Sequence, residues 1–525
     1  MSITDASRLA EAAPRTSGYW DDPDVDAQRL HSPADLDANP VDPGQVERPA
    51  LLSLLPRFGV TEIDGSASNP AGRTQGRTPD GKAIQIDPLH REGGVEIARE
   101  RTLADAGGGR TYVSADQLVI STGGASDRVA VSQRDDGTLD VAVNGASFAV
   151  TAAEGQELTL RTGGGDDVIE VAANVTVNIV AETGAGDDQV DIAGGGDNRI
   201  DAGAGNDRVT LGGDGRNDVS GGDGDDVIQG GRGVDVIHGG DGDDRIDGGA
   251  GRNFLEGGAG HDAIRSRGAG DMVSGGLGDD TIQAAPGASS VYAGAGRDTI
   301  EGAGERTTVY AERGDLINAA TGARPTVVNV EIDASVGRSL RVEGSAAFVQ
   351  RVQAEIEFLR GSPNGQRMLA EFDATAATRG NSVTIKELAN ERNGYAMPAD
   401  DRATWPDVQI TNGVAGRGVQ TDIRYNPGFH MEAFPAPVVV LYHEMSHAYN
   451  FVNGSLQPGN YNGPDVADRG ISNSERQAVG LETTARPFDF DGDPSTPATT
   501  ANPDHLTENG LREELGLPDR PSYRL

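Results

Sequence analysis

The sequence predicts a multidomain chain in which a parallel β-roll, a β-solenoid of short stacked turns, is followed by an α+β domain. Three observations predict it. A nonapeptide of glycines, one aspartate and one aliphatic residue recurs through the middle of the 525 residues. Only three of the 23 aromatic residues lie between 162 and 310, whereas fifteen lie from Phe348 to Tyr523, so a core-poor zone precedes a core-rich one. Finally, His443 and His447 are spaced to share one face of a helix.

The chain divides by composition into five zones. Residues 1–60 are rich in Pro, Asp, Ala and Ser, and read as a flexible lead-in that can carry an export signal. They lack the basic and then apolar blocks of a cleaved secretory leader, and no stretch of the chain has the roughly 18 consecutive apolar residues of a membrane span. Residues 61–160 read as a β-rich cap, because the alternating runs LVIST, RVAVS, LDVAV and FAVTA are separated by GG, DDG and NG turns. The repeat occupies 161–312, a connector 313–340, and the core-rich domain 341–525.

Charge and cysteine usage narrow the partners. Glycine supplies 75 residues and the formal charge is −38, which disfavours nucleic acid and anionic membranes and favours multivalent cations. The absence of cysteine excludes a disulfide scaffold, thiolate zinc ligands and a cysteine nucleophile. Nothing in the sequence sets an oligomeric state.

From Gly221 the chain falls into ten consecutive blocks of nine, beginning GGDGDDVIQ, GGRGVDVIH and GGDGDDRID, with looser blocks from 162 onward. Glycines supply the positive φ of tight turns, and the aliphatic residue at position eight points inward from a short strand. Val168, Val190, Ile200, Val209, Ile228, Ile237, Ile246, Leu255, Ile264, Val273, Ile282 and Ile300 are the expected inward ladder. So thin an interior does not offset the entropy of ordering this much glycine. The segment 162–310 holds 28 acidic and 10 basic side chains, a net of 10 − 28 = −18. A hard cation with oxygen ligands is the expected stabiliser, and calcium accepts six to eight of them.

These blocks resemble the RTX (haemolysin-type) calcium-binding repeats, whose GGxGxDxUx pattern is matched in full at 221–229, 230–238, 239–247, 257–265 and 275–283. The resemblance implies Ca2+ at Asp226, Asp235, Asp244, Asp262 and Asp280, and next at Asp188, Asp207, Asp271 and Asp298. Asn253, Ser290 and Thr307 are read at position six of their blocks and are expected to interrupt the ladder.

After Arg313 the sequence reads as helices. Ser345 precedes the stripe Phe348, Val349, Val352, Ile356 and Leu359, and Ser362-Pro363 opens a second helix through Phe372. Short β-like runs follow at 383–388, 408–412 and 421–425. The apolar run from Pro437 continues into His443-Glu444-Met445-Ser446-His447, an HExxH arrangement in which two imidazoles can bind one zinc ion with Glu444 beside them as general base. Zn2+ with three protein ligands keeps a position for water and lowers its pKa, which suits hydrolysis of a peptide bond. A carboxylate on a following helix is the expected third ligand: Glu475, with Ser474 or Asn473 as cap, ahead of Glu482, Asp465 and Asp468. Arg520 and Tyr523 are a cation and a phenol that would stabilise an oxyanion if the tail folds back over the zinc; an ordinary exposed C-terminus has the same spacing.

The segments EGSAAFVQRV, YHEMSHAYN, NSERQAVGLE and TENGLREELGLPDRPSY, in that order over about 335–525, are similar to the NleD-type effector zinc metallopeptidases of bacterial type III secretion. That resemblance implies a zincin-like endopeptidase with zinc at His443, His447 and Glu475. It also implies a protein substrate, host signalling proteins being the class that related effectors cut, and secretion or delivery into a host cell without a cleaved leader. The RTX array ahead of the peptidase departs from the short effectors. The competing readings are a non-catalytic calcium-binding surface or adhesion protein whose HExxH helix is structural, and a toxin aimed at competing bacteria.

Overall fold

The repeats coil into two parallel sheets facing each other across one row of aliphatic side chains. This architecture comes from a computed structural model, which describes residues 60–524 apart from 108, 286, 288, 392, 401, 430–433 and 491–494. The lead-in expected over 1–60 lies, but for Val60, outside the described residues. Each coil takes two nonapeptides: Val227 pairs with Arg245, Arg245 with Ala263 and Ala263 with Thr281, each 18 residues apart. Upstream coils are longer, with Gln189 opposite Arg208 and Val168 opposite Gln189, which accounts for the slips in the repeat.

Ile228, Ile246, Ile264 and Ile282 of one sheet meet Ile237, Leu255 and Val273 of the other, all essentially inaccessible. Two registers differ from the sequence reading. Ile169 rather than Val168 holds the inward position, because Val168 opens its strand and the pleat turns the next residue inward. Ser290 pairs with Met272, so Ser289 is the residue that continues the row of Asp271.

The cap extends both sheets. Strands Ala83–Glu92, Val95–Gly107 and Arg110–Gly123 form an antiparallel meander whose last member pairs in parallel with Glu157–Gly163. A second meander ends on Arg128–Gln133, which pairs with Val168–Val171. The first rungs of the roll are thereby covered, and an open sheet edge is avoided there. At the other end the coils continue through Leu316–Asn318 and Thr326–Asn329. Much of the stretch expected as a connector over 313–340 is therefore a further coil.

The C-terminal region is α+β. Its four-stranded sheet runs Arg341–Glu343, Val383–Glu387, Thr421–Tyr425, Gly394–Pro398, the last antiparallel at the edge. Its helices are α1 (Ala346–Gly361), α2 (Pro363–Arg379), α3 (Trp405–Val408), α4 (Pro437–Asn453), α5 (Asn473–Val479) and α6 (Glu508–Glu514). Ser345 and Ser362 cap α1 and α2 as expected, accepting from the Phe348 and Gly365 amides. The β-like run expected at 408–412 is not a strand: Asp407 accepts from the Thr404 amide and hydroxyl, closing a capping box that draws Val408 into α3.

The C-terminal α+β region packs on the outer face of the roll. Phe254, Tyr292 and Tyr310, the repeat zone's three aromatics, all point out of the roll into the second core, with Phe348, Val352 and Phe358. Tyr292 stacks on Tyr310 at 4.4 Å and meets the Phe358 ring at 4.4 Å. Arg351 of α1 pairs with Asp218 of the roll at 2.6 Å, both buried. The end of α6 is tied down as well: Tyr292 donates to Glu514 Oε1 (3.0 Å), Tyr310 to the Glu514 carbonyl (2.9 Å) and Ser290 to the Leu515 carbonyl (2.8 Å).

Candidate metal centres

Helix α4 supplies the HExxH side chains. Pro437 occupies its first turn, where a missing N–H is harmless, and Gly454 ends it at φ 67°. All its residues from Val438 to Asn450 are buried, so the helix runs through the core and its polar groups must find partners inside. Ser446 donates to the Leu506 carbonyl (2.6 Å), fixing the helix against the segment that leads into α6, and Tyr442 donates to the Asn364 carbonyl of α2 (3.0 Å).

His443 and His447 lie one turn apart with ring centroids at 4.9 Å. Glu475 of α5 faces both: its Oε2 is 3.1 Å from His447 Nε2 and 3.7 Å from His443 Nε2. One ligand atom from each of the three lies within 4.8 Å of the others. Two imidazole nitrogens and a carboxylate at this spacing fit a zinc ion with nitrogen and oxygen bonds of about 2.0–2.2 Å. The α5 cap is Ser472, which accepts from Ser474 N, so Asn473 and Ser474 are already helical. Among the weaker ligand candidates, Asp465 and Asp468 are bound to Arg476 instead, and Glu482 receives Arg476 Nε on its carbonyl.

Glu508, which the sequence reading missed, takes the other nitrogen of His443. Its Oε2 accepts from His443 Nδ1 (2.9 Å) and Arg520 Nη1 (2.7 Å), and its Oε1 from Arg512 (3.3 Å). The carboxylate is inaccessible, and this arrangement leaves His443 Nε2 for the site. A glutamate opening a short helix behind Thr507 reads as an ordinary helix-start residue; the two arginines at 512 and 520 were its only signal.

Burial alone would lower the His443 pKa, but hydrogen bonds to Glu475 and Glu508 outweigh it and push the ring up to about 10 without a metal. Burial would raise Glu475, yet the His447 charge and the His443 hydrogen bond hold it below the usual carboxylate range. Glu444 is raised by burial, with the two histidines pulling the other way, and its carboxylate accepts from the Ala396 amide of the edge strand.

The tail does fold back. Tyr523 lies beside His443, with ring centroids 6.4 Å apart, and hydrogen-bonds Glu475; that carboxylate's charge, together with burial, pushes the phenol pKa far up. Asp468 anchors the tail by accepting from the Tyr523 and Arg524 amides (2.9 and 3.1 Å). Arg520 is 5% exposed and spent on Glu508 and the Tyr523 carbonyl. It reaches the site through Glu508, not as the free oxyanion cation expected from sequence.

The repeat aspartates form rows along the two edges of the roll. Asp188, Asp207, Asp226, Asp244, Asp262, Asp280 and Asp298 stack on one edge, each N–H donating to Oδ1 of the next except the last, which donates to Asp315. Their Oδ2 atoms are buried and unpartnered, the mark of a site shaped for a cation. Burial raises these carboxyls, with neighbouring carboxylates adding to it, to about 6 at Asp207, 7 at Asp226 and 8 at Asp244. Asp235 and Asp271 lie on the other edge, between Asn217, Asn253 and Ser289.

Residues 336–523 match the profile of a peptidase family described as "Effector protein" (Peptidase_M91). Residues 211–246, 238–273 and 274–309 match the RTX calcium-binding nonapeptide repeat. The two thus stand in the order expected from sequence, and together they support an effector peptidase with a calcium-binding module. No curated protein and no solved structure matches the chain. Among the described residues no helix is long and apolar enough to cross a membrane.

Proposed function

We propose that residues 341–525 form a zinc-dependent endopeptidase, exported as an effector or toxin, and that the roll is its calcium-binding module. The observation that carries this reading is the convergence of His443 Nε2, His447 Nε2 and Glu475 Oε2 beside the buried Glu444 carboxylate. Zinc held there supplies a Lewis acid that polarises a peptide carbonyl and acidifies water.

The chain's own groups account for the rest. Glu444, steadied by the Ala396 amide and raised by burial, takes a proton from the attacking water and returns it to the leaving amine. The Tyr523 phenol, kept protonated, donates to the oxyanion. Glu508 holds the His443 ring by Nδ1, and Arg520 and Arg512 hold Glu508. The exposed edge strand Gly394–Pro398 next to Glu444 suits a substrate bound as an added strand. The substrate is a protein, with a signalling protein of a host cell as the expected class.

The test is proteomic. The full chain and Glu444→Gln are each incubated with a cell extract, and new peptide termini are mapped by mass spectrometry. Termini made by the parent and absent with a zinc-loaded variant support the reading. Equal cleavage by both refutes it.

A further inference from the structure

The repeat signature treats both edges of the roll alike, but the side chains do not. On one edge eight carboxylates, from Asp167 to Asp298, stack in register: Asp167 N–H donates to Asp188 Oδ1 (2.7 Å), and so on upward at 2.7–2.9 Å as far as Asp280 to Asp298. Each is 1–2% exposed and every Oδ2 is buried; from Asp207 to Asp298 it has no partner, while the Thr162 and Thr183 hydroxyls, which donate to the Thr183 and Ala202 carbonyls, stand beside Asp167 and Asp188. The row is closed at both ends by hydrogen bonds. Asp127 Oδ1 accepts from Asn144 Nδ2 (2.5 Å), and Asp315 Oδ2 accepts from the Glu312 amide (2.7 Å).

On the other edge neither aspartate has an oxygen left over. Asp235 Oδ1 accepts from Asn217 Nδ2 (2.7 Å) and its Oδ2 from the Gly231 amide (2.8 Å). Asp271 Oδ1 accepts from the Asn253 amide (2.9 Å), and its Oδ2 from Ser266 Oγ (2.6 Å) and the Gly268 amide (2.9 Å). Asn198, Asn217 and Asn253 fill other places in the row, and an amide brings its own donor: Asn198 donates to Asn217, and Asn253 to the Gly248 carbonyl. Ser289 and Thr307 end this row without charge.

Glycine lets the carboxylates of the charged row come close to the turn carbonyls. A methyl group on Gly221 would stand 2.1 Å from Asp226 Oδ2 and 2.5 Å from the Gly239 carbonyl oxygen. The same pairing of carboxylate and next-coil carbonyl recurs at Gly239, Gly257 and Gly275, and on the other edge at Gly230 with Asp235 Oδ2 and the Gly248 carbonyl; the edges differ in whether Oδ2 already accepts a hydrogen bond, as Asp235 Oδ2 does from the Gly231 amide. Hard oxygens repeating at each coil are a calcium donor set. A line of buried anions, each with an unused oxygen, is strongly unfavourable until cations neutralise it.

We propose that divalent-cation binding is confined to the edge that carries Asp167, Asp188, Asp207, Asp226, Asp244, Asp262, Asp280 and Asp298, while Asp235 and Asp271 are hydrogen-bonded struts of a cation-free edge. This rests on the reading of the repeats as calcium-binding and sharpens it. The row starts at Asp167, more than forty residues before the first matched repeat at 211. Two of the aspartates assigned by pattern alone drop out, and one that the pattern did not assign comes in. Eight rungs leave 8 − 1 = 7 gaps for cations.

Bound calcium per chain, measured by mass spectrometry of the metal after equilibrium dialysis of the full chain, tests this. Asp226→Asn with Asp262→Asn touches four gaps and is expected to remove about half of the bound calcium. Asp235→Asn with Asp271→Asn is expected to leave the count and the calcium midpoint of the β-sheet circular dichroism signal within about twofold. Asp167→Asn, at the end of the row, is expected to lower the count by about one while the roll stays folded. An equal loss in the Asp235/Asp271 variant, with its sheet signal intact at saturating calcium, overturns the one-edge assignment. An undiminished count in Asp167→Asn overturns the extension of the row. A parent chain that binds no calcium overturns the calcium reading itself.

Discussion

Replacing Glu508 by glutamine isolates what holds the first histidine of the HExxH pair. The side chain is inaccessible and receives His443 Nδ1 at 2.9 Å, Arg520 at 2.7 Å and Arg512 at 3.3 Å. Glutamine keeps the volume but removes the charge, and its amide nitrogen cannot accept a hydrogen bond. Arg520, about 5% exposed, is left short of a counter-ion, while Arg512 keeps the Pro518 carbonyl. Removing one partner of such a buried pair typically costs about 3–5 kcal/mol. Glutamine is expected at the lower end, because its carbonyl still accepts from one donor and Arg520 retains the Tyr523 carbonyl. The second effect is on the metal. Loss of the carboxylate that orients a ligating histidine typically weakens metal affinity by about 10–100-fold. Competition with a chromophoric chelator reads the affinity, and urea unfolding of the zinc-free chain reads the stability. Helix α4 keeps its Ser446 and Tyr442 anchors in the variant, so circular dichroism should be unchanged. Zinc affinity within twofold of the parent in a folded Glu508→Gln chain would refute the assignment of Glu508 as the group that positions His443.

Three further outcomes follow from the contacts described. The carboxyls of Asp207, Asp226, Asp244, Asp262, Asp280 and Asp298 are raised by burial to about 6–8 in the folded cation-free roll, so that state binds protons more tightly than the unfolded chain. Their stabilisation is present at pH 4 and lost as pH rises through 6 to 8; thermal unfolding in chelator should show a higher midpoint at pH 5 than at pH 8, with calcium raising it most at pH 8. Tyr292→Phe with Tyr310→Phe removes both hydrogen bonds to Glu514, worth about 1–3 kcal/mol together, and should loosen the segment leading to Arg520, read as faster amide hydrogen exchange over 514–523. Arg351→Met leaves Asp218 buried without its partner and should lower thermal stability by several degrees, the roll and the peptidase region then unfolding in separate calorimetric transitions.

The periodic parts of the structure were legible in sequence, and the parts that join them were not. Nine-residue periodicity and position-eight aliphatics dictate a coil, because each block can bury only one side chain and must stack to do so. Helix α4 was legible for a similar reason: Pro437, the apolar run and the i, i+4 histidines all act within one element. The docking of the peptidase region was not. Phe254, Tyr292 and Tyr310 look like irregularities in a repeat, and their meaning appears only when α1 and α6 cover them. Glu508 was hidden likewise, 65 residues from the histidine it holds. Spacing placed Arg520 and Tyr523 together in the tail, yet could not tell that Arg520 turns to Glu508 while Tyr523 lies beside His443. The two edges of the roll follow the same rule: a motif records that aspartate is present, while the unpaired Oδ2 that distinguishes Asp226 from Asp235 depends on what the neighbouring coils donate.

The central claim is that the HExxH helix and Glu475 hold one zinc ion for peptide-bond hydrolysis. Metal analysis of the purified full chain, beside His447→Ala and Glu475→Ala, tests it most directly. The account predicts one tightly held zinc per chain in the parent, retained in Glu444→Gln and lost in both ligand variants, with peptide cleavage lost in all three. A parent chain without zinc that still cleaves peptides, or zinc retained at full stoichiometry in His447→Ala and Glu475→Ala, would contradict it.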